Sequence, residues 1–300
     1  MTRSVDDARE PEAGPVVVEL DRPAPTPVEL TVWPAADPAA PAYVVVPAMG
    51  MRASFYAPLL QALARGGVHA GVLELRGHQR AAAPLPGRRY DFGYADLVED
   101  LSAAVLAVRE KWPDARVVTL GHSFGGHVAT AQAAAHPAAG DPARPDALAL
   151  VATGSVAWRA WGRLAPWHLL RSQALLVLTT VVGHFPGQRV GFAGREARTQ
   201  MTEWARWSRT GRFVVGSSSG AAGLDVDAGA ARVDVPVLAV SFEGDPLAPR
   251  STTTALAGLF TGAPVTLEHH ALPVGRPHVD WVRQPQLFSD RLHRWATGAA

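Results

Sequence analysis

Cysteine is absent from the 300-residue chain, which removes disulfides, thiolate nucleophiles and Cys-ligated zinc or iron–sulfur sites together. Lysine occurs once, at Lys111, in the polar helix end Arg109-Glu110-Lys111-Trp112. That is a poor setting for Schiff-base or phosphate-binding chemistry, so the nucleophile to look for is an oxygen or a ring nitrogen. Excess charge is also missing: the net charge is +1 and no long run of Lys or Arg occurs, so no nucleic-acid partner is expected. The most apolar long stretch, Ala174 to Val182, has nine residues, against the roughly 20 that cross a bilayer, so no membrane insertion is expected. Met1 to Gly14 carries Asp6, Asp7, Glu10 and Glu12 without the apolar core of a secretory signal, and a cytoplasmic location follows as the expectation. With no H-E-x-x-H or comparable ligand spacing, neither metal nor other cofactor is expected.

What the chain does have is apolar content of 48% against 18% charged residues, enough to bury one substantial core. Short β-branched runs alternate with segments of helical period, the pattern of parallel strands joined by crossover helices. Strands are predicted at Val16 to Leu20, Val28 to Trp33, Tyr43 to Val46, Ala70 to Leu75, Arg116 to Leu120, Ala147 to Val151, Val235 to Ser241 and Val265 to Glu268. Helices are predicted at Phe55 to Arg65, Tyr94 to Trp112, Gly126 to His136, Thr252 to Phe260 and Gln284 to Trp295. The alternation lapses between about Gly154 and Arg232, where Trp158, Trp161, Trp167, Trp204 and Trp207 accumulate. The expected organisation is a disordered N-terminus over 1–14, an α/β core over 15–153 and 233–300, and a helical insertion over 154–232.

Gly121-His122-Ser123-Phe124-Gly125 matches G-x-S-x-G, a pattern that this composition produces by chance about 0.1 times in such a chain. Gly216-Ser217-Ser218-Ser219-Gly220 matches as well, and context separates the two. Ser218 follows a brief apolar run and leads into no sustained helix pattern. Ser123 lies between a strong strand and a well-formed helix, where a tight turn holds the hydroxyl up and glycines leave room for the backbone to fold sharply. Ser123 is therefore the expected nucleophile.

A serine hydroxyl needs a base that is itself oriented by a carboxylate. On a sheet with this turn, the acid follows at the end of a later strand and the histidine in a loop after the last one. Asp245 closes the Val235 to Gly244 segment, and His278 lies in Gly275-Arg276-Pro277-His278 before the final helix. Glu243 is the rival carboxylate, two residues nearer the strand body; His269 and His270 are the rival bases, at the end of their strand. His122 and His127 flank the turn and read as packing or pocket groups. Two backbone N–H donors are needed for a developing oxyanion. Phe124 is the first and Met49, in Pro47-Ala48-Met49-Gly50-Met51, the second; the alternative is that these residues only turn the chain into the next helix.

On these residues the chain, from about Val16 to Trp295, resembles the α/β-hydrolase superfamily. Pro47-Ala48-Met49-Gly50, Leu75-Arg76-Gly77-His78, Gly121-His122-Ser123-Phe124-Gly125-Gly126 and Glu203-Trp204-Ala205-Arg206-Trp207 are similar to a bacterial subgroup known only as predicted α/β hydrolases. The resemblance implies a mostly parallel sheet flanked by helices, with a helical lid inserted after the sixth strand. Three motifs depart from the usual ones: Pro47-Ala48 replaces His-Gly before the oxyanion residue, Glu74-Leu75 replaces Asp before Arg-Gly, and Pro277-His278 replaces Gly-His. The lid position implies that its tryptophans line an apolar pocket, although aromatics at helical spacing more often pack the lid itself. Arg76, Arg80, Arg88 and Arg89 either meet a substrate carboxylate or, the plainer reading, decorate a solvated loop.

The expected activity is serine hydrolysis of a carboxylic ester or related small acyl compound, apolar or aromatic, through an acyl-enzyme on Ser123. An acyltransferase using the same residues, and a non-catalytic binding protein on the same fold, are the alternatives.

Overall fold

The computed structural model describes residues 14–22, 28–78, 84–216, 223–273 and 275–297. All but the last residue of the expected disordered terminus, together with Ser218 and Arg80, lies outside the described residues.

Eight strands form one central sheet: β1 (Val16–Leu20), β2 (Val28–Trp33), β3 (Ala42–Val46), β4 (His69–Leu73), β5 (Val117–His122), β6 (Ala147–Val151), β7 (Val237–Phe242) and β8 (Val265–His270). Their order across the sheet is β1-β2-β4-β3-β5-β6-β7-β8. The β1–β2 and β2–β4 pairs are antiparallel and the rest are parallel. The reason is visible in the residues. β3 to β7 are mainly apolar and buried along their whole length, as strands covered on both faces must be. β8, at the edge, keeps Thr266, Glu268, His269 and His270 in or near solvent, which blunts edge-to-edge pairing.

The sheet separates two apolar cores. Leu59, Leu60 and Leu63 of α1 (Ala57–Arg65) join Trp281, Phe288 and Leu292 on one face, the last two being on the C-terminal helix (Pro285–Thr297). On the other face α2 (Tyr94–Lys111) and α3 (Phe124–Ala135) pack with Trp207, Phe213 and Leu256. Each fully buried Leu or Val contributes about 1.5–3 kcal/mol relative to exposure.

The described residues within 154–232 fold as helices and two short two-stranded ladders. Helix α4 (Ala165–Val182) has Pro166 in its first turn and ends at Gly183, in the left-handed region at φ +86°, a common start and stop pair. Helix α5 (Arg198–Thr210) packs against α4 through its Ser208, whose hydroxyl hydrogen-bonds Ser172 at 2.8 Å. Two buried carboxylates bolt this segment to the core. Glu203 accepts hydrogen bonds from the Tyr94 and Gly216 amides at 2.8 and 2.5 Å, supplying an anion at the positive end of α2. Glu196 accepts from the Gly194 amide at 3.0 Å and lies 3.2 Å from His78 Nε2. Among the described residues no helix is long and apolar enough to cross a membrane.

Candidate active site

The strand–turn–helix at Ser123 is as abrupt as steric limits permit. Ser123 itself sits at φ +52°, ψ −118°, a conformation that side chains rarely tolerate. A Cβ on Gly121 would come within 2.3 Å of Gly126 Cα, and one on Gly125 within 2.1 Å of the Val46 carbonyl oxygen. Both glycines are thus required for α3 to start immediately after the serine and to lie against β3. The Ser123 amide donates to Val151 O at 3.0 Å, tying the turn to β6. Among the described residues the non-glycine residues with positive φ are Ser123, Ala152 and Ala193, and all three line one cavity. Backbone strain is concentrated at that cavity, as it often is at functional sites.

Three side chains meet at its floor. His278 Nε2 lies 2.8 Å from Ser123 Oγ, and His278 Nδ1 lies 2.8 and 3.1 Å from the two oxygens of Asp245. Asp245 Oδ1 also accepts from the amides of Leu247 and Ala248, at 2.8 and 3.1 Å. The turn after β7 therefore fixes the carboxylate with its own backbone, and both Asp245 and His278 are buried. With Nδ1–H directed at Asp245, the Nε2 lone pair faces the serine hydroxyl. Glu243 is exposed, whereas Asp245 is buried. His269 hydrogen-bonds Ser241 Oγ at 2.9 Å, and His270 pairs with Glu268; neither approaches Ser123. Both histidines lie within β8, which runs two residues beyond the expected strand end because they pair in register with Ser241 and Phe242.

A buried relay beneath the floor has no counterpart in the sequence motifs. The Ala48 amide donates to Tyr56 Oη at 2.8 Å, and Tyr56 Oη lies 2.7 Å from His122 Nδ1. His122 Nε2 lies 2.7 Å from the backbone oxygen of His278. Complete burial, with His278 nearby, pushes the His122 pKa down to about 3. The ring is neutral: Nε2–H donates to His278 O and Nδ1 accepts the Tyr56 hydroxyl proton. One imidazole thus connects the loop after β3, the serine turn and the histidine loop. Trp281 packs edge-on against it, ring centroids 5.1 Å apart.

Phe124 and Met49 both line the cavity with Ser123. Neither amide donates to a backbone acceptor in the turns and loops among the described residues. Phe124 is the first residue of α3, where the amide has no partner within the helix.

The cavity holds about 300 Å³. Its far wall comes from residues 154–232: Trp161, His168, Arg171, Phe192 and Trp204 face it. Trp161 stacks on His168 with centroids 3.8 Å apart and planes 10° from parallel, and His168 Nε2 donates to Val156 O at 2.9 Å. Of the five tryptophans singled out in this segment, Trp161 and Trp204 face the cavity. Trp207 is instead buried against Phe213, stacked at 3.9 Å, and Trp167 is 64% exposed. Trp158 lies against the Arg159 guanidinium outside the cavity. His127, expected as packing or pocket lining, does both: it lines the cavity, donates to Gly154 O at 2.9 Å and packs edge-on against Trp207.

The arginine cluster is not a solvated loop throughout. Arg76 is buried and pairs with Asp100 through two hydrogen bonds, at 2.5 and 2.6 Å, whereas Arg88 and Arg89 are exposed. None of the three lines the cavity. Among the described residues no group of three or more His, Asp and Glu side chains converges to hold a metal ion.

Residues 37–269 match the family model for serine aminopeptidase, S33. No curated protein matches the sequence. Solved structures share the fold at low identity. A highly thermostable carboxyl esterase from Bacillus coagulans superposes with a TM-score of 0.67 at 15% identity, over 95% of this chain and 98% of that one. An enol-lactonase from Burkholderia xenovorans LB400 gives 0.52 at 20% identity, over 90% and 97%. An esterase from Exiguobacterium antarcticum gives 0.58 at 13% identity, over 95% and 100%. The sheet order, the turn at Ser123 and the family match over most of the length place the chain in the serine aminopeptidase S33 family of the α/β-hydrolase superfamily.

Proposed function

We propose that this hydrolase cleaves a carboxylic ester or related acyl compound through a covalent acyl-enzyme on Ser123. The observation that carries the reading is the unbroken line Asp245–His278–Ser123, with contacts of 2.8 Å at both links, opening into the strained cavity. His278 Nε2 takes the hydroxyl proton as Ser123 Oγ bonds to the carbonyl carbon, and Asp245 holds the imidazolium that results. The Phe124 and Met49 amides receive the carbonyl oxygen as it becomes an oxyanion. Collapse breaks the bond to the leaving oxygen, which departs as an alcohol with the proton from His278. Water then repeats the sequence on the acyl-enzyme, giving its proton to His278 and releasing the acid and the free serine.

An ester fits the cavity better than the free N-terminus of a peptide. An aminopeptidase needs an anion to hold the substrate's α-ammonium, and no Asp or Glu is among the described residues lining the cavity, which presents Arg171 and Arg276 instead. Residues 154–232 act in this reading as a cap that excludes water and shapes the acyl site.

A panel of chromogenic esters of graded chain length tests the proposal. Ser123→Ala is expected to abolish turnover and Ser218→Ala to leave it intact; loss of activity in Ser218→Ala with survival in Ser123→Ala overturns the assignment.

A further inference from the structure

Several arginines of this protein that are drawn into the fold meet carboxylates there. Arg22 pairs with Glu99 and Asp100, Arg76 with Asp100, Arg109 with Asp146, Arg144 with Asp234 and Arg291 with Glu268. Arg171 differs. It projects from α4 into the same cavity as Ser123, half-buried, and no carboxylate lies within ion-pair distance of it among the described residues. Its guanidinium stacks on the Phe192 ring, 4.7 Å from the centroid, which orients the fork without satisfying its donors. The nearby His168 is neutral, since burial and the adjacent Arg171 push its pKa down to about 4, so the imidazole offers no countercharge.

A half-buried guanidinium held on an aromatic face of the cavity has lost part of its hydration without a carboxylate of the fold to replace it. The second cavity-lining arginine, Arg276, is an exposed rim residue already engaged by Asp280. We infer that Arg171 is the receptor for a carboxylate carried by the substrate, so that the preferred substrates are esters with one free carboxylate, such as half-esters of short dicarboxylic acids. The inference rests on the ester-hydrolase reading for its chemistry. It adds the substrate's charge and the residue that reads it. A bidentate guanidinium–carboxylate pair formed on binding gives a preference of about tenfold or more over the neutral isostere.

The test compares kcat/KM for p-nitrophenyl hemiadipate with that for p-nitrophenyl hexanoate, in wild type, Arg171→Met and Arg171→Lys. Wild type is expected to favour the hemiadipate by about tenfold or more, mainly through KM; Arg171→Met brings the ratio close to one and Arg171→Lys restores part of it. Because each ratio is taken within one variant, a partly folded preparation does not distort it. A third ester, 4-carboxyphenyl hexanoate, distinguishes an anion on the leaving group from one on the acyl chain. A wild-type ratio near one for both anionic esters, or an unchanged ratio in Arg171→Met, overturns the inference. Calorimetric titration of adipate into Ser123→Ala, with and without Arg171→Met, separates the two layers of the argument. Arg171-dependent binding without any esterase activity would leave the anion site standing and remove the hydrolase reading. Esterase activity without Arg171-dependent binding would do the reverse.

Discussion

The floor and the far wall of the cavity are built on different terms. On the floor the reacting side chains are answered in series: Ser123 by His278, His278 by Asp245, Asp245 by two backbone amides, and the loops themselves by the Tyr56–His122 relay. Ser123 and His122 sit at the end of β5 and Asp245 just past β7, where the sheet fixes the backbone, with His278 in the loop that follows β8. The wall formed by residues 154–232 consists of an aromatic stack and an arginine without an anion, carried on helices joined to the core by Glu196 and Glu203. The contrast suits a division of labour in which the proposed chemistry belongs to the floor and the proposed choice of substrate to the wall.

Substitutions can break that division if it is false. The largest effect is expected from Asp245→Asn, which leaves the volume unchanged but removes the charge that orients His278; kcat should fall by about 10⁴ with KM little altered. A loss below tenfold would mean that this carboxylate is structural. Tyr56→Phe should come next. It leaves the Ala48 amide and His122 Nδ1 buried without partners, which costs about 2 kcal/mol in urea denaturation, and it loosens the loop bearing Met49, so kcat should drop by about tenfold. If stability falls and kcat does not, the relay supports the fold alone. The smallest effect is expected from Trp161→Ala on the wall, a rise in KM of a few fold with kcat preserved; a collapse of kcat there would erase the contrast.

Acid titration sharpens the comparison from another side. His122 and His127 are fully buried on the floor, and desolvation holds their pKa values at about 3 and about 4, below the unfolded value near 6.5. The unfolded chain therefore binds more protons once the pH falls below about 6.5, and the stability these neutral rings contribute is lost progressively down to the folded pKa values. Each ring costs about 1.4 kcal/mol per pH unit across that window. Chemical denaturation at pH 7, 6 and 5 should show a steepening loss, reduced in His127→Asn; a flat profile contradicts neutral burial.

The floor was largely legible in the sequence and the wall was not. Apolar runs such as Tyr43-Val44-Val45-Val46 specify buried parallel strands, and several predicted bounds, including β1, β2 and β6, coincide with the observed ones. Helix α3 begins at Phe124, two residues before its expected start, because Gly125 and Gly126 belong to the first helical turn. That Ser123, Asp245 and His278 lie near one another was legible because the turn after β5, the segment after β7 and the loop after β8 all open on one edge of the sheet. Trp204 and Trp207 show where such reading stops. They are three residues apart on α5, yet the first faces the cavity and the second stacks on Phe213, a difference set by how the helix docks. Tyr56 and Arg171 carried no local signal: the role of the first depends on His122, 66 residues away, and the second stands out through the partner it lacks.

The most direct measurement is active-site labelling of the folded protein with a fluorophosphonate, read by intact mass and peptide mapping. The account predicts one adduct, on the Ser123 peptide, in wild type and in Ser218→Ala, and none in Ser123→Ala. A folded wild-type protein that takes no label, or takes it on another serine, contradicts the claim that Ser123 is an activated nucleophile.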